Sequence, residues 1–201
     1  MDLPLHKDSA DRAVEFVETF IHHSKGDLTG QKFILEKWQK EEIIMPIFGW
    51  KHKESGLRKY RTCYVEIPRK NGKSSLGAAL ALYLLFADSE RGAEIFSCAG
   101  DRNQASIIFD LAKNMIHLDP ELRNRAKVFR SSIVNEAKGN TYKVLSSEAK
   151  LQHGHNAHGV FFDELHTQPN RELYDTMVTS QAARSQPLFF SMTTAGSSKT
   201  D

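Results

Sequence analysis

The sequence predicts an α/β fold in which helices flank a mostly parallel central sheet. Residues 62–68 form a β-favouring run that ends at Pro68, and a polar loop and a helical pattern follow it. A second strand at 93–99 leads into another helical pattern, and the apolar run 160–162 forms a third strand. Strands that alternate with helices are typical of a parallel sheet with helices on its faces.

Length and composition fit one globular domain. A chain of 201 residues can bury a substantial core, and 40% apolar with 26% charged residues is ordinary for a soluble protein. The net charge of +2 is too small to indicate nucleic-acid binding by itself. Cys63 and Cys98 lie in strand-like runs, so we expect buried free thiols and a reducing compartment. With no signal peptide and no bilayer-spanning apolar run, the protein is expected to be cytosolic and without membrane contact.

Two helical segments are expected before the first strand. An apolar stripe at helical spacing predicts the first helix, which ends at the Gly26 turn, and a second helix is predicted from about Gln31 to Ile44. Within the second lies Trp38-Gln39. A glutamine amide offers both a donor and an acceptor that can recognise adenine, and a tryptophan can pack against the base. A core tryptophan beside an exposed glutamine is the alternative interpretation.

Two polar clusters have simpler interpretations. Residues 51–61 form a basic turn between strands, for which a solvated hairpin is expected and a contact with a phosphate backbone is the alternative. His153, His155 and His158 suggest a zinc site with His166 as the fourth ligand. Their spacing matches no zinc template and no cysteine assists, so we expect no zinc there.

Gly72-Lys73-Ser74 lies between the first strand and its helix, which is the context of a phosphate-binding loop. Backbone N–H groups at a helix N-terminus point towards an anion. Gly72 lets the backbone approach closely, Lys73 can reach the β- and γ-phosphates, and the Ser74 hydroxyl can ligate Mg²⁺. The usual pattern has a first glycine where this chain has Ile67. An ordinary helix start with a solvated lysine is the alternative interpretation.

Two later strands end in residues that such a loop requires. The strand at 160–162 ends in Asp163-Glu164, where the aspartate can hold Mg²⁺ and the glutamate can polarise the attacking water. Two solvated acids at a strand end are the alternative, which the phosphate loop upstream disfavours. The strand at 187–194 ends in threonines. We therefore expect the phosphate loop, Asp163-Glu164 and Thr193-Thr194 at the carboxyl ends of adjacent strands, with residues 127–145 forming an antiparallel excursion.

In this order and spacing, the motifs resemble the ATPase domain of phage terminase large subunits, in particular the HK97-like branch. The resemblance covers most of the chain from residue 31 onward, and its matching segments are Trp38-Gln39, 69–74, 101–105, 163–166 and 193–196. It implies a P-loop NTPase fold of the RecA/ASCE type. It also accounts for the missing glycine, because terminases have a deviant phosphate loop that contains an arginine, here Arg69.

The resemblance also implies roles for individual residues. Glu164, Lys73 and Arg69 are expected to be catalytic, Ser74 and Asp163 to hold Mg²⁺, and Thr193-Thr194 to couple hydrolysis to movement of the ATPase subdomains. The expected ATP-binding residues are Trp38, Gln39, Arg69, Lys70, Asn71, Gly72, Lys73, Ser74 and Ser75.

The implied function is Mg²⁺-dependent ATP hydrolysis that drives double-stranded DNA into a procapsid. The implied partners are DNA, the portal protein and the small terminase subunit, in a homo-oligomeric ring located in the host cytoplasm and transiently at the procapsid portal. We expect one ATPase domain over residues 1–201, with a helical segment at 1–48 and a P-loop core at about 60–201. Family members carry a C-terminal nuclease domain, which nothing after Asp201 could supply. We therefore expect a monomeric ATPase fragment without nuclease activity.

Two other functions compete with this one. The first is another P-loop ATPase, helicase-like or remodelling, although a helicase motor needs a second ATPase core for which 201 residues leave no room. The second is a nucleotide-binding assembly module that does not hydrolyse, against which Glu164 argues. Several arginines are open candidates for DNA contact or for completing a neighbouring active site: Arg102, Arg123, Arg125, Arg130 and Arg184.

Overall fold

A seven-stranded sheet forms the centre of the chain. The structure is a computed structural model that describes residues 6–68, 70–146, 154–164 and 170–194. Its strands are β1 (Thr62–Glu66), β2 (Glu94–Ala99), β3 (Lys127–Val128), β4 (Ser132–Asn135), β5 (Asn140–Ser146), β6 (Ala157–Asp163) and β7 (Leu188–Thr193). They lie in the order β1-β7-β6-β2-β5-β4-β3.

Most of the sheet is parallel, which confirms the predicted fold class. The pairs β1–β7, β6–β7, β2–β6 and β2–β5 are parallel. Only β3–β4 and β4–β5 are antiparallel among the described strands, and they form the predicted excursion over residues 127–145. Every residue of the central strands β6 and β7 is buried because helices cover both faces there, whereas the edge strand β1 exposes Thr62, Tyr64 and Glu66.

The helices divide between the two faces of the sheet. They are α1 (Lys7–Phe20), a π-helix (Gln39–Gly49), α2 (Lys73–Phe86), α3 (Arg102–Leu118), α4 (Pro120–Arg125) and α5 (Glu172–Thr179). All residues of α2 from Leu76 to Leu85 are buried, because the sheet, α1 and α3 surround this helix. On the opposite face Leu173 and Met177 of α5 pack with Phe162 and Phe189. No described helix is both long and apolar enough to cross a membrane.

The second helix predicted from about Gln31 to Ile44 is wrong at both ends. Residues 22–32 form a turn that is closed by an antiparallel β-bridge between the backbones of His22 and Lys32. Next to this bridge, the Phe33 N–H donates to Ile21 O at 2.9 Å. These backbone groups are therefore not available to a helix. The π-helix then continues through Pro46 to Gly49. Burial of apolar side chains beyond the proline, at Ile47 and Phe48, compensates for the N–H group that proline lacks.

The basic segment 51–61 forms the predicted hairpin-like turn, and residues 52–56 are exposed, but Arg58 departs from the prediction. The backbones of Lys51 and Arg58 form an isolated antiparallel β-bridge. The Arg58 residue is buried, with only 3% of its surface exposed. Its Nη2 donates to Asp88 Oδ2 at 3.1 Å, and its guanidinium lies over the Phe48 ring with 5.0 Å between Cζ and the ring centroid. His158 Nε2 lies 2.7 Å from the same Asp88 oxygen. This buried cluster joins the π-helix and the segment 51–61 to the end of α2 and to β6.

Both cysteines are free thiols, as the sequence predicts. Cys98 is buried in β2 and Cys63 is half-buried in β1. Burial raises the pKa of the Cys63 thiol to about 11, so this side chain stays protonated at neutral pH.

Candidate active site

Three predicted site segments meet at one edge of the sheet. In the order β1-β7-β6 these strands are neighbours, with Glu66 opposite Thr193 and Asp163 opposite Met192. The loop after β1, the Asp163-Glu164 pair and the Thr193-Thr194 pair therefore follow adjacent strand ends. This is the arrangement expected from the sequence, and it places residues from three separate parts of the chain within hydrogen-bond reach.

The loop between β1 and α2 is shaped by two residues with positive φ. Gly72 has φ +73° and precedes the first residue of α2, and Lys70 has φ +68°. The Asn71 side-chain amide donates to Pro68 O at 3.1 Å, which holds the loop across its base. Arg69 lies outside the described residues. The first N–H groups of α2 have no partner within the helix and can bind an anion at this loop.

Lys73 joins the loop to the carboxylates at the end of β6. Its Nζ lies 3.6 Å from Asp163 Oδ1 and forms a second ion pair with Glu164 Oε1. The side chains of Lys73 and Glu164 are 12% and 17% exposed, so water screens this pairing only partly. The single lysine ammonium thus pairs with both adjacent acids and offsets one negative charge.

The two oxygens of the Asp163 carboxylate have different partners: Oδ1 faces the Lys73 ammonium, whereas Oδ2 accepts hydrogen bonds. Oδ2 accepts hydrogen bonds from Ser74 Oγ at 3.4 Å and from Gln104 Nε2 at 3.2 Å. Oδ1 is buried and has no hydrogen-bond partner among the described residues. Burial raises the pKa of Asp163 above its ordinary value, although Lys73 opposes this. A cation would relieve the burial of this carboxylate.

The donor set fits Mg²⁺. The Ser74 hydroxyl and the Asp163 carboxylate supply oxygen ligands, and Mg²⁺ is usually held by one or two carboxylates together with phosphates and water. Across the described ranges, no group of three or more His, Cys, Asp and Glu side chains could hold a metal by itself. The site therefore suits an ion that arrives with a phosphate ligand.

Glu164 is held by both threonines at the end of β7. Its Oε2 accepts from the Thr194 N–H at 3.2 Å, from Thr194 Oγ1 at 3.3 Å and from Thr193 Oγ1 at 3.4 Å. Burial alone would raise the pKa of Glu164, but the hydrogen bonds from Lys73 and Thr194 outweigh it and lower the pKa. Glu164 is thus an ionised carboxylate with a positive φ of +48° at the end of its strand.

Gln104 is the site residue that sequence reasoning missed. Its segment, 101–105, contributed to the resemblance, but no role was assigned to it. The strand that precedes Gln104 is the signal that points to this residue. That strand, β2, lies next to β6, and the carboxyl end of β2 reaches the same edge of the sheet. Asp101 caps α3 by accepting from the Gln104 N–H at 2.9 Å, as a helix start at Asp101 predicts.

Some predicted site residues are not joined to this cluster. Gln39 is 4% exposed, and its Oε1 accepts from the Glu36 N–H at 2.9 Å, while Trp38 packs against the core. In the part of the chain that the structure describes, no hydrogen bond links Gln39 to the phosphate loop. The alternative of an exposed glutamine is wrong, and a role in binding adenine stays a prediction.

Other candidates are engaged elsewhere or lie outside the described residues. Arg184 is held internally, with Nη1 donating to Glu90 Oε1 at 2.9 Å and Nε to Asn156 O at 3.2 Å. His158 pairs with Asp88. His153, His166 and the 195–196 end of the last motif lie outside the described residues. Ser75 is half-buried in the first turn of α2.

Comparison with known proteins identifies similar chains. The family model for the ATPase domain of the terminase large subunit matches residues 37–201. The terminase large subunit of Enterobacteria phage HK97 is 29% identical over 196 residues, covering 95% of this chain and 38% of that protein. This chain therefore spans well under half the length of that relative.

Solved structures agree with this similarity. The crystal structure of the HK97 bacteriophage large terminase superposes with a TM-score of 0.78 at 28% identity, covering 92% of this chain and 37% of the other. The large terminase ATPase domain of Thermus phage P74-26 gives a TM-score of 0.54 at 18% identity, covering 78% of this chain and 70% of the other. At that identity the second match shows the fold alone.

Proposed function

Because the chain belongs to the family of terminase large subunit ATPase domains and has their P-loop ASCE fold, we propose that it hydrolyses Mg²⁺-bound ATP. In this proposal, hydrolysis drives the translocation of double-stranded DNA into a procapsid. The observation that carries the proposal is the cluster of Lys73, Ser74, Asp163 and Glu164. The side chains proposed to bind phosphate, to hold the metal and to activate water contact one another there. A nucleotide-binding module without turnover would not need Glu164.

The proposed phosphate site is the loop 69–75, in which Lys73 supplies the charge. To reach the β- and γ-phosphates, the Lys73 ammonium would leave Glu164 Oε1. Glu164 Oε1 would then take a proton from the attacking water, while Thr193 and Thr194 keep hold of Oε2. Binding of ATP would thereby convert an ion-paired carboxylate into a general base.

The metal site in this proposal consists of the Ser74 hydroxyl and Asp163 Oδ1. Bound there with the nucleotide, Mg²⁺ would offset negative charge on the β- and γ-phosphate oxygens. Oδ1 is buried and accepts no hydrogen bond from the described residues, and its ion-pair partner Lys73 would move to the phosphates, which supports this assignment. Trp38 and Gln39 are the proposed adenine site, and Arg69 is proposed to contact the γ-phosphate.

Thr193-Thr194 is the proposed coupling motif. Three of its donors reach Glu164 Oε2, so a change at Glu164 during hydrolysis would be transmitted to the end of β7. In the full motor this would move the ATPase subdomains against one another. The proposed domain organisation is a helical segment at 1–48 that precedes a P-loop core at about 60–201.

Assembly and location are also proposals, because the curated relative is much longer than this chain. We infer a homo-oligomeric ring in the host cytoplasm that binds DNA, the small terminase subunit and, transiently, the portal protein of the procapsid. Ring motors complete each site with a cation from the next subunit, and loss of such a cation can cost about 10³–10⁵ in rate. The isolated chain should therefore be monomeric and hydrolyse ATP slowly.

Steady-state phosphate release with and without duplex DNA tests this function. The Glu164→Gln variant should lose about 10²–10⁴-fold in turnover and keep ATP binding, because the amide preserves the shape but accepts no proton. Glu121→Gln is the matched control, since Glu121 is an exposed α4 carboxylate that pairs with Arg125 at 3.3 Å on the helix surface. Unchanged turnover in Glu164→Gln would remove this residue from the mechanism, and fast turnover by a monomer would argue against a cation supplied by a neighbour.

A further inference from the structure

The amide of Gln104 lies against the carboxylate that the proposed function assigns to Mg²⁺. Its Nε2 donates to Asp163 Oδ2 at 3.2 Å. The same oxygen accepts from Ser74 Oγ at 3.4 Å, whereas Oδ1 is buried and has no hydrogen-bond partner in the described part of the chain. Two donors on one oxygen fix the orientation of the carboxylate, and the other oxygen faces Lys73 Nζ at 3.6 Å.

Gln104 is delivered to this position by a strand that carries none of the predicted site residues. β2 pairs with β6 in parallel, and Cys98 lies opposite Phe162, the residue before Asp163. α3 begins three residues after β2 ends. Asp101 caps this helix by accepting from the Gln104 N–H, so the backbone of Gln104 is held in the first turn. Its side chain spans the short remaining distance to β6.

We propose that Gln104 is a positioning residue that turns Asp163 Oδ1 towards the Mg²⁺ that accompanies the nucleotide. This inference rests on the proposed metal site. In that site the Ser74 hydroxyl serves as a ligand and Lys73 moves to the phosphates, so both weaken their contacts with Asp163. Gln104 is then the remaining donor on Oδ2 among the side chains that the structure shows around Asp163.

The role predicts a specific loss. Without Gln104 the carboxylate can rotate, and partners behind a metal ligand typically contribute 10–100-fold to metal affinity. Gln104 makes no hydrogen bond to the described residues of the phosphate loop, so binding of the nucleotide without metal should be preserved. The defect should therefore appear in the coupling between metal and nucleotide.

The test is titration of the full chain with fluorescently labelled ADP, with Mg²⁺ and with EDTA. For wild type, the ratio of the two dissociation constants measures the gain that Mg²⁺ brings. Gln104→Leu, of similar size but without a donor, should reduce this gain about 10–100-fold and leave the affinity in EDTA unchanged. Gln104→Glu should reduce it at least as much, because a second carboxylate would repel Asp163 instead of donating to it. Asn103→Leu, at an exposed position in the same turn, is the control and should match wild type.

The outcomes separate this inference from the proposed function. A wild-type gain from Mg²⁺ that persists in Gln104→Leu and Gln104→Glu would refute the positioning role and leave the metal site standing. Equal losses of affinity with and without Mg²⁺ would make Gln104 a structural residue only. If wild type itself bound ADP equally well in Mg²⁺ and EDTA, the proposed metal site would fail, and this role with it.

Discussion

Replacing Asp88 by asparagine should destabilise the fold through a buried charge. Asp88 is 6% exposed and Arg58 is 3% exposed, so water does not screen their pairing. The substitution keeps the shape but leaves the Arg58 guanidinium buried without a counter-charge. Breaking a buried ion pair costs about 3–5 kcal/mol, and because the amide oxygen can still accept a hydrogen bond we expect about 3 kcal/mol. With a urea m-value of about 2 kcal/mol/M, the unfolding midpoint falls by about 1.5 M.

The pH dependence supplies a second measurement on the same variant. Burial alone would raise the pKa of Asp88, but the hydrogen bond with His158 and the Arg58 guanidinium outweigh it and hold the pKa well below its usual range. A carboxyl with a lowered folded-state pKa stabilises the fold above its unfolded-state pKa, about 3.9, and loses this contribution as the pH falls towards the folded-state value. The difference between wild type and Asp88→Asn should stay constant from about pH 7 to 5 and shrink below about pH 4.

Urea unfolding followed by circular dichroism at several pH values is the assay. The control is Asp110→Asn, because Asp110 is 54% exposed and lies 3.9 Å from Lys113 on the surface of α3. That substitution should change the free energy of unfolding by less than about 0.5 kcal/mol. An Asp88→Asn variant as stable as this control, or a difference that shrinks already between pH 7 and 5, would contradict the reasoning.

Three further predictions concern the phosphate loop. Lys73→Ala should abolish tight ATP binding or turnover, because the charge facing the phosphates is lost. A normal affinity in fluorescent-nucleotide titration together with normal phosphate release would contradict this. Gly72→Ala should lower the free energy of unfolding by about 1–2 kcal/mol, because a φ of +73° suits glycine and strains a residue with a Cβ atom. A urea midpoint equal to that of wild type would show that the loop adapts. Arg69→Ala should impair phosphate release if Arg69 reaches the γ-phosphate, and normal turnover would make it a surface cation.

The fold class and the main site segments could be predicted from the sequence because their signals are local. A β-favouring run, a polar loop with Gly72-Lys73-Ser74 and a helical pattern are contiguous in the chain, and so is the apolar run that ends in Asp163-Glu164. Parallel strands bring their carboxyl ends to one edge of a sheet, so these segments were expected to lie close together.

The boundaries of the N-terminal helices could not be predicted in the same way. The spacing of apolar residues after Gln31 predicts a helix that ends near Ile44. In the structure, the π-helix instead runs from Gln39 to Gly49. The turn that pairs His22 with Lys32 and the burial of Ile47 beyond Pro46 decide where the helix lies. Both depend on packing against α1, and residue spacing carries no information about that contact.

Residue order along the chain specifies which side chains stand at the strand ends. Strand order and packing specify which of those side chains meet. Gln104 and Asp163 are brought together by the pairing of β2 with β6, and Arg58, Asp88 and His158 by the packing of three distant segments. Arg58 resembles any other surface cation in a basic stretch of sequence. The free energy of a charge depends on burial and on the nearest opposite charge, and strand order and packing set both.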